Sequence, residues 1–323
     1  MAQPFHTALG VPVAGGALHV GVAGPAPGTT GVPVVLAVHG ITGSHRSWAG
    51  VARHLGDAVT VLAPDLRGRG ESSGLGGPYG MAAHVEDLLA VLDHVGCPRA
   101  VLAGHSMGGY IVARFAATAP DRLSAAVLVD GGLPLPVPPD TDADAVLAAV
   151  LGPSLARLQM TFPSVEAYRE FWRAHPAFAA GEWTDDVDDY VDYDLEPVGG
   201  SRRPNQGDTP CPPGPEPGPA GETVYRSRVS EDAVRADGRD LLDGDSGRKA
   251  LHSLADPCVL LWAARGLQNE ERPLLPAETI ADARALLPHL AVVEVPDTNH
   301  YLILLGDRAA GVVADEIRRR ATS

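Results

Sequence analysis

A serine flanked by glycines, Gly104-His105-Ser106-Met107-Gly108, lies between an apolar run, Ala100 to Ala103, and a helical pattern from Met107 to Ala117. The setting suits a nucleophile. A strand-to-helix turn this tight needs small neighbours, strains the backbone at the serine and lifts its hydroxyl clear of the sheet. The helix that follows aims its first amides at the reacting centre. A phosphate-binding loop is also rich in glycine, but no lysine follows here, and such loops need one. A serine hydroxyl needs a base. Of the twelve histidines, His300 in Asp297-Thr298-Asn299-His300-Tyr301 follows the last predicted strand, where a loop stands over the serine. His105 adjoins Ser106, but its side chain is expected to point away across the turn; His84 and His94 fall on a predicted helix and read as solvated. Attack on a carbonyl creates an oxyanion that needs two donors. The Met107 amide, just after the nucleophile, is one; the Ile41 amide, in Val38-His39-Gly40-Ile41-Thr42-Gly43, is the candidate for the second.

Such groups must be carried on a rigid frame. Apolar runs rich in valine and leucine occur at Val34 to Val38, Val59 to Leu62, Ala100 to Ala103, Ala125 to Val129, Val259 to Trp262 and Ala291 to Val295. Continuous apolar runs read as strands buried on both faces of a parallel sheet. The more polar run Ala17 to Val22 reads as an outer, antiparallel strand. Helical patterns alternate with them: Ser44 to Leu55, Val85 to Val95 ended by Gly96, Met107 to Ala117, Thr279 to Leu287 and Asp307 to Arg320. The alternation predicts an α/β fold.

Between Gly131 and about Leu254 the alternation stops. Helical patches at Asp142 to Leu151, Val165 to Phe171 and Ser230 to Leu242, with no clear buried strand, predict a mainly helical insertion over 132–254 into a core of 1–131 and 255–323. Eight of the 16 aromatic residues lie between Phe162 and Tyr193. A solvated linker would not hold half the aromatics, so this part packs on something. A lid over an apolar pocket, lined by Phe162, Phe171, Trp172 and Trp183, is one reading; a small core of its own is the other. Within the insertion, 197–221 is rich in proline and glycine; its segment 210–219 cannot be regular helix or strand, since proline lacks the amide donor, and the stretch reads as a disordered or extended surface loop.

Strand-His39-Gly40, then Asp65-Leu66-Arg67-Gly68-Arg69-Gly70-Glu71-Ser72, then Gly104-His105-Ser106-Met107-Gly108-Gly109, then Asn299-His300 together resemble the α/β-hydrolase superfamily over about residues 11–135 and 255–320. The resemblance implies an eight-stranded, mostly parallel sheet with a lid inserted after the sixth strand. It gives Asp65 a structural place near the site and no catalytic one. It also implies a triad acid, which orients the imidazole and stabilises its charged form. Family members usually place an aspartate just after the seventh strand, but here that place falls near Gly266, and the loop runs on through Leu267-Gln268-Asn269-Glu270-Glu271. A minority take the acid from the end of the sixth strand, where this chain has Val129-Asp130-Gly131. Asp130 and Glu270 are therefore the two candidates, with Glu271, or a dyad oriented by water or Asn269, behind them.

The resemblance implies a serine hydrolase acting on a carboxylic ester or lactone of an apolar small molecule, with no metal or organic cofactor. Thioesterase, amidase, carbon–carbon hydrolase and cofactor-free haloperoxidase-like chemistry fit the same triad, as does a non-catalytic binding protein on the same fold. A formal net charge of -15 argues against nucleic acid and anionic membrane surfaces as partners, since both need basic patches. Three cysteines, Cys97, Cys211 and Cys258, without CxxC spacing, and no apparent signal peptide, fit a reduced cytoplasm. The acidic run Thr184 to Tyr190 lacks the glycine and glutamate placement of a calcium loop and reads as a solvated helix face or helix start.

Overall fold

The computed structural model describes residues 3–135, 142–179, 183–198, 223–255 and 257–322. Its central sheet uses β1 (Thr7–Val13), β2 (Gly16–Ala23), β3 (Val34–Val38), β4 (Thr60–Pro64), β5 (Ala100–His105), β6 (Leu123–Val129), β9 (Cys258–Arg265) and β10 (Ala291–Asn299). A separate pair, β7 (Leu195–Val198) and β8 (Val224–Ser227), lies in the insertion. The eight strands run in the order β1-β2-β4-β3-β5-β6-β9-β10. β1 and β2 are antiparallel, β2 meets β4 antiparallel, and every other pairing is parallel.

The continuous apolar runs have a direct cause. Alternate residues of a strand point to opposite faces. In β3, Leu36 and Val38 enter one core with α2 (Met81–His94) and α3 (Met107–Thr118), while Val35 and Ala37 enter the other with α1 (Ala49–Leu55) and α11 (Asp307–Ala321). A strand covered on both faces has no solvent side to mark with polar residues. The short helix α10 (Leu302–Leu305) joins the second core, and α9 (Ala277–Leu286) closes the first. β1 is mostly exposed, with only Val11 fully buried, so it carries no such run and was not anticipated.

Between β6 and β9 stand α4 (Ala143–Leu158), α5 (Val165–Arg173), α6 (Asp185–Tyr193), the β7–β8 pair, α7 (Glu231–Leu241) and α8 (Gly244–Leu251). Three of these correspond to the predicted patches. The insertion is mainly helical as expected, with the short β7–β8 pair added: each strand has four residues, mostly half-buried or exposed, too short for a pattern. At the end of the insertion, Ala250 and Leu251 of α8, with Leu254, pack into the first core beside α3. The proline- and glycine-rich stretch 197–221 lies, beyond Val198, outside the described residues.

The acidic run does start a helix, capped by the Thr184 side chain on the Val187 amide. Its carboxylates are not simply solvated. Asp186 takes both guanidinium nitrogens of Arg53 at 2.6 and 2.5 Å, and Asp189 faces Arg46 at 3.5 Å. α6 therefore seats the insertion on α1 by ion pairing. α7 does so at the other end, with Asp237 accepting from the Gly80 amide and Asp240 from the Met81 amide, both at 2.6 Å. These are orphan donors at the start of α2, where a negative charge also meets the positive end of the helix dipole. Among the described residues no helix is long and apolar enough to cross a membrane.

Candidate active site

Ser106 sits at the turn between β5 and α3 with φ 54° and ψ −121°, a left-handed conformation that L-residues adopt only when the surroundings impose it. The glycines around it are sterically required. A Cβ on Gly104 would lie 2.2 Å from the Gly108 carbonyl oxygen, and one on Gly108 would lie 2.2 Å from that of Val38. The loop after β3 closes on the serine from the other side: a Cβ on Gly40 would stand 3.1 Å from Ser106 Cβ and 3.5 Å from its Oγ.

His300 follows β10, and its Nδ1 donates to Asp130 Oδ2 at 2.6 Å. Asp130 follows β6, is fully buried and also has positive φ, 45°. Its other oxygen accepts from the Ala263 amide at 3.0 Å, and its own amide donates to the Leu261 carbonyl at 2.7 Å. The carboxylate is thus pinned between β6 and β9 with one oxygen aimed at the imidazole. Glu270 lies elsewhere. Its carboxylate accepts from the Gln268 amide at 2.8 Å inside a turn closed by Gly266 N–H on the Glu270 carbonyl, 3.0 Å. Asn269 accepts from Arg265 at 2.9 Å. Among the described residues neither bonds His300, and His300 Nε2 has no hydrogen-bond partner.

Ser106 and His300 line two adjoining cavities together, and among the described residues the Ser106 hydroxyl makes no hydrogen bond. Such a bond commonly tightens only around bound substrate. Ile41 lines both cavities, and Met107 lines the second. Neither amide has a hydrogen-bond partner among the described residues, which leaves both as donors at this point. The second cavity has about 530 Å³ of empty space, its mouth included. Its wall is mostly aliphatic, from Leu135, Val146, Leu147, Val150, Leu241 and Leu274, with Tyr110 also lining it.

The four aromatics expected to line the pocket do not reach it. Phe162 and Trp172 are buried with Tyr168, Phe178, Tyr190 and Tyr301 in a third cluster that joins the insertion to Tyr301 and Leu305, just after His300; Phe171 and Trp183 pack against it. Trp172 meets Tyr168, Phe178, Tyr190 and Tyr301 edge-on, with centroids 5.8 to 6.3 Å apart. That geometry favours aromatic pairs over one another rather than over a void. A buried ion pair, Arg157 with Asp194, ties this core to α4.

Three histidines have places that motif reading missed. His39 donates from Nδ1 to the Gly40 carbonyl at 2.7 Å and accepts the Leu66 amide on Nε2 at 3.0 Å. One ring nitrogen donates and the other accepts, so the ring is neutral, and burial pushes its pKa down to about 4. The peptide whose oxygen it holds is the one that carries the Ile41 amide. His105 Nε2 donates to the His300 carbonyl at 2.9 Å; burial, then the nearby His300 ring, hold its pKa well below the ordinary value. His84, read as solvated, is fully buried, 3.0 Å from Asp237, because α7 covers the start of α2; His94 is exposed. His19, His45 and Asp65 cluster closely enough to suggest a cation site. But Asp65 is already satisfied by the His45 amide and ring, the Glu71 amide and the Tyr193 hydroxyl at 2.6 to 3.0 Å. It is a structural hub, as the resemblance implies.

Residues 33–157 match the family model described as the alpha/beta hydrolase fold. Over 118 residues, 36% of this chain, the sequence is 39% identical to lipase LipV of Mycobacterium tuberculosis, and the match covers 43% of that protein. This chain therefore spans less than half of that relative's length. Two solved structures are similar over nearly all of the chain. E-2-(acetamidomethylene)succinate hydrolase gives a TM-score of 0.72 at 20% identity, covering 98% of this chain and 99% of its own. The thioesterase domain from the curacin biosynthetic pathway gives 0.68 at 20% identity with the same coverage. With the strand order, the serine turn and the insertion after β6, these matches show that the chain has the α/β-hydrolase fold.

Proposed function

We propose that the protein is a serine hydrolase that cleaves a carboxylic ester or lactone of an apolar small molecule through an acyl-enzyme. The observation that carries this reading is the strained Ser106 at a cavity that it shares with a His300 bonded to buried Asp130. In this scheme Ser106 Oγ attacks the carbonyl carbon as His300 Nε2 takes its proton. Negative charge grows on the former carbonyl oxygen and rests on the Ile41 and Met107 amides. His300, oriented and compensated by Asp130, then protonates the leaving oxygen. A water, deprotonated by the same imidazole, repeats the attack on the acyl-enzyme and releases the acid.

The aliphatic wall supports an apolar acyl group, and the lipase among the relatives supports ester chemistry. The insertion acts as the lid, with aliphatic residues of α4 and α7 lining the second cavity and Tyr190 of the aromatic cluster reaching the first. The cysteine usage supports a cytoplasmic setting. A fluorophosphonate probe tests the nucleophile. Wild-type protein takes up one label and Ser106→Ala takes none. Equal labelling of the two, or no labelling of wild type, overturns the reading.

A further inference from the structure

The Ile41 amide is useful only if its peptide is held still before the oxyanion forms. One side of that residue is fixed by His39 on the Gly40 carbonyl. The other is fixed by Arg69, whose Nε donates to the Ile41 carbonyl at 2.9 Å. Arg69 is fully buried, and its Nη1 donates to the Arg67 carbonyl at 2.9 Å. The same nitrogen is 2.6 Å from Asp237 Oδ2, also fully buried. Arg69 belongs to the core, while Asp237 belongs to α7 of the insertion. Arg69 Nη2 has no partner, so few neutral contacts would hold the guanidinium in place without that carboxylate.

We propose that Arg69 and Asp237 are positioning residues for the Ile41 oxyanion donor, so that the insertion governs the rate of the chemical step as well as the shape of the pocket. The inference rests on the serine-hydrolase reading above. The charge state agrees with it. Burial alone would raise the Asp237 carboxyl, but Arg69 and His84 outweigh burial and hold it at about 2, ionised at any working pH. A buried guanidinium whose partner is removed becomes an uncompensated charge and moves toward any acceptor it can find. The carbonyl it then releases is that of Ile41.

The test measures p-nitrophenyl butyrate turnover and inhibition by butylboronic acid, which forms a tetrahedral adduct on the serine. Wild type is compared with Asp237→Asn, Arg69→Met and Arg69→Lys. For Asp237→Asn and Arg69→Met, kcat falls about tenfold or more, KM stays within about twofold, and boronate binding weakens in step with kcat, since one donor is displaced rather than deleted. Arg69→Lys recovers part of the loss. A purely structural role predicts a lower melting temperature with kcat and boronate affinity within about twofold of wild type, and that result overturns the proposal. Where Arg69→Met does not fold, Asp237→Asn decides by the same two criteria. A wild-type protein that boronate fails to inhibit refutes the serine reading instead, and does so before any variant is made.

Discussion

At the scale of single residues, the sharpest question is which carboxylate stands behind His300. Asp130 meets the imidazole at 2.6 Å from a buried, doubly anchored position, while Glu270 spends its oxygen on the Gln268 amide. An acid in Asp130's position selects the tautomer with the proton on Nδ1, leaving Nε2 to accept the serine proton. Asp130→Asn presents either an amide oxygen or an amide nitrogen to Nδ1, and in neither case a negative charge. We therefore expect Asp130→Asn to lower kcat on p-nitrophenyl esters by about a thousand- to ten-thousandfold. Glu270→Gln should stay within about twofold, as expected for a residue away from the chemistry. Equal small losses in both variants would remove Asp130 from the mechanism. The serine turn was legible because it is written in five consecutive residues. The acid was not, because its contact with His300 spans 170 positions and depends on where two strands end. The bracing by His39 and Arg69 was illegible for a related reason. Each holds a backbone carbonyl, and a backbone acceptor leaves no mark in the identity of the residue that carries it.

At the scale of elements, the pocket depends on how α4 and α7 fit together. Leu147 of α4 lines the second cavity and lies directly over Gly238 of α7. A Cβ on Gly238 would stand 2.5 Å from both Leu147 methyl carbons and 3.0 Å from its Cγ. Gly238→Ala must therefore push Leu147 toward the cavity or the two helices apart. Overpacking of this kind costs about 1–3 kcal/mol, against about 1 kcal/mol regained from the better helix propensity of alanine. Movement of Leu147 into empty space is the easier course. We expect Gly238→Ala to reduce kcat/KM for p-nitrophenyl octanoate about tenfold relative to the acetate, an effect worth the burial of one to two methylenes. Adding Leu147→Ala should restore the long chain. A chain-length profile that Gly238→Ala leaves unchanged would show that the helices separate instead. The fold's alternating core was readable in the runs of β3, β5 and β6, since burial on both faces erases polar residues. The lining helix was not readable. α4 is alanine, valine and leucine on nearly every side, so no stripe reveals which face meets the cavity. The aromatics drew the expectation to α5, whose strong stripe instead packs into the aromatic cluster shared with Tyr301 and Leu305.

At the scale of the whole molecule, buried neutral histidines make stability depend on pH. Burial lowers the pKa values of His19, His39, His105 and His175, His39 to about 4. In the unfolded chain each titrates near about 6.5. As pH falls from 6.5 toward 4, the unfolded state takes up protons that the folded state refuses, so stability is present in full above 6.5 and is lost on acidification. Each such group contributes a slope of up to about 1.4 kcal/mol per pH unit, and His39 alone accounts for about 3 kcal/mol across its range. Asp65 and Asp237 extend the loss to lower pH. Burial alone would raise both, but their histidine and arginine partners hold them below the ordinary carboxylate value, and their contribution disappears only as they protonate. Asp194 works the other way, because burial outweighs Arg157 and raises it; its contribution is present at low pH and declines as pH rises through the carboxylate range. The net charge of -15 also favours the acid side in principle, since protonation relieves self-repulsion. That relief waits for exposed carboxylates to titrate near about 4 and is screened by salt, so between pH 6.5 and 5 the histidines dominate. Urea unfolding at pH 7, 6 and 5 should show falling stability at constant m-value. His39→Asn keeps a donor for the Gly40 carbonyl but carries no titrating ring, and should flatten the slope by up to about 1.4 kcal/mol per pH unit. An unchanged slope in that variant would mean that His39 is protonated in the fold. Its Nε2 could then not accept the Leu66 amide, and the neutral brace behind the Ile41 peptide would not exist.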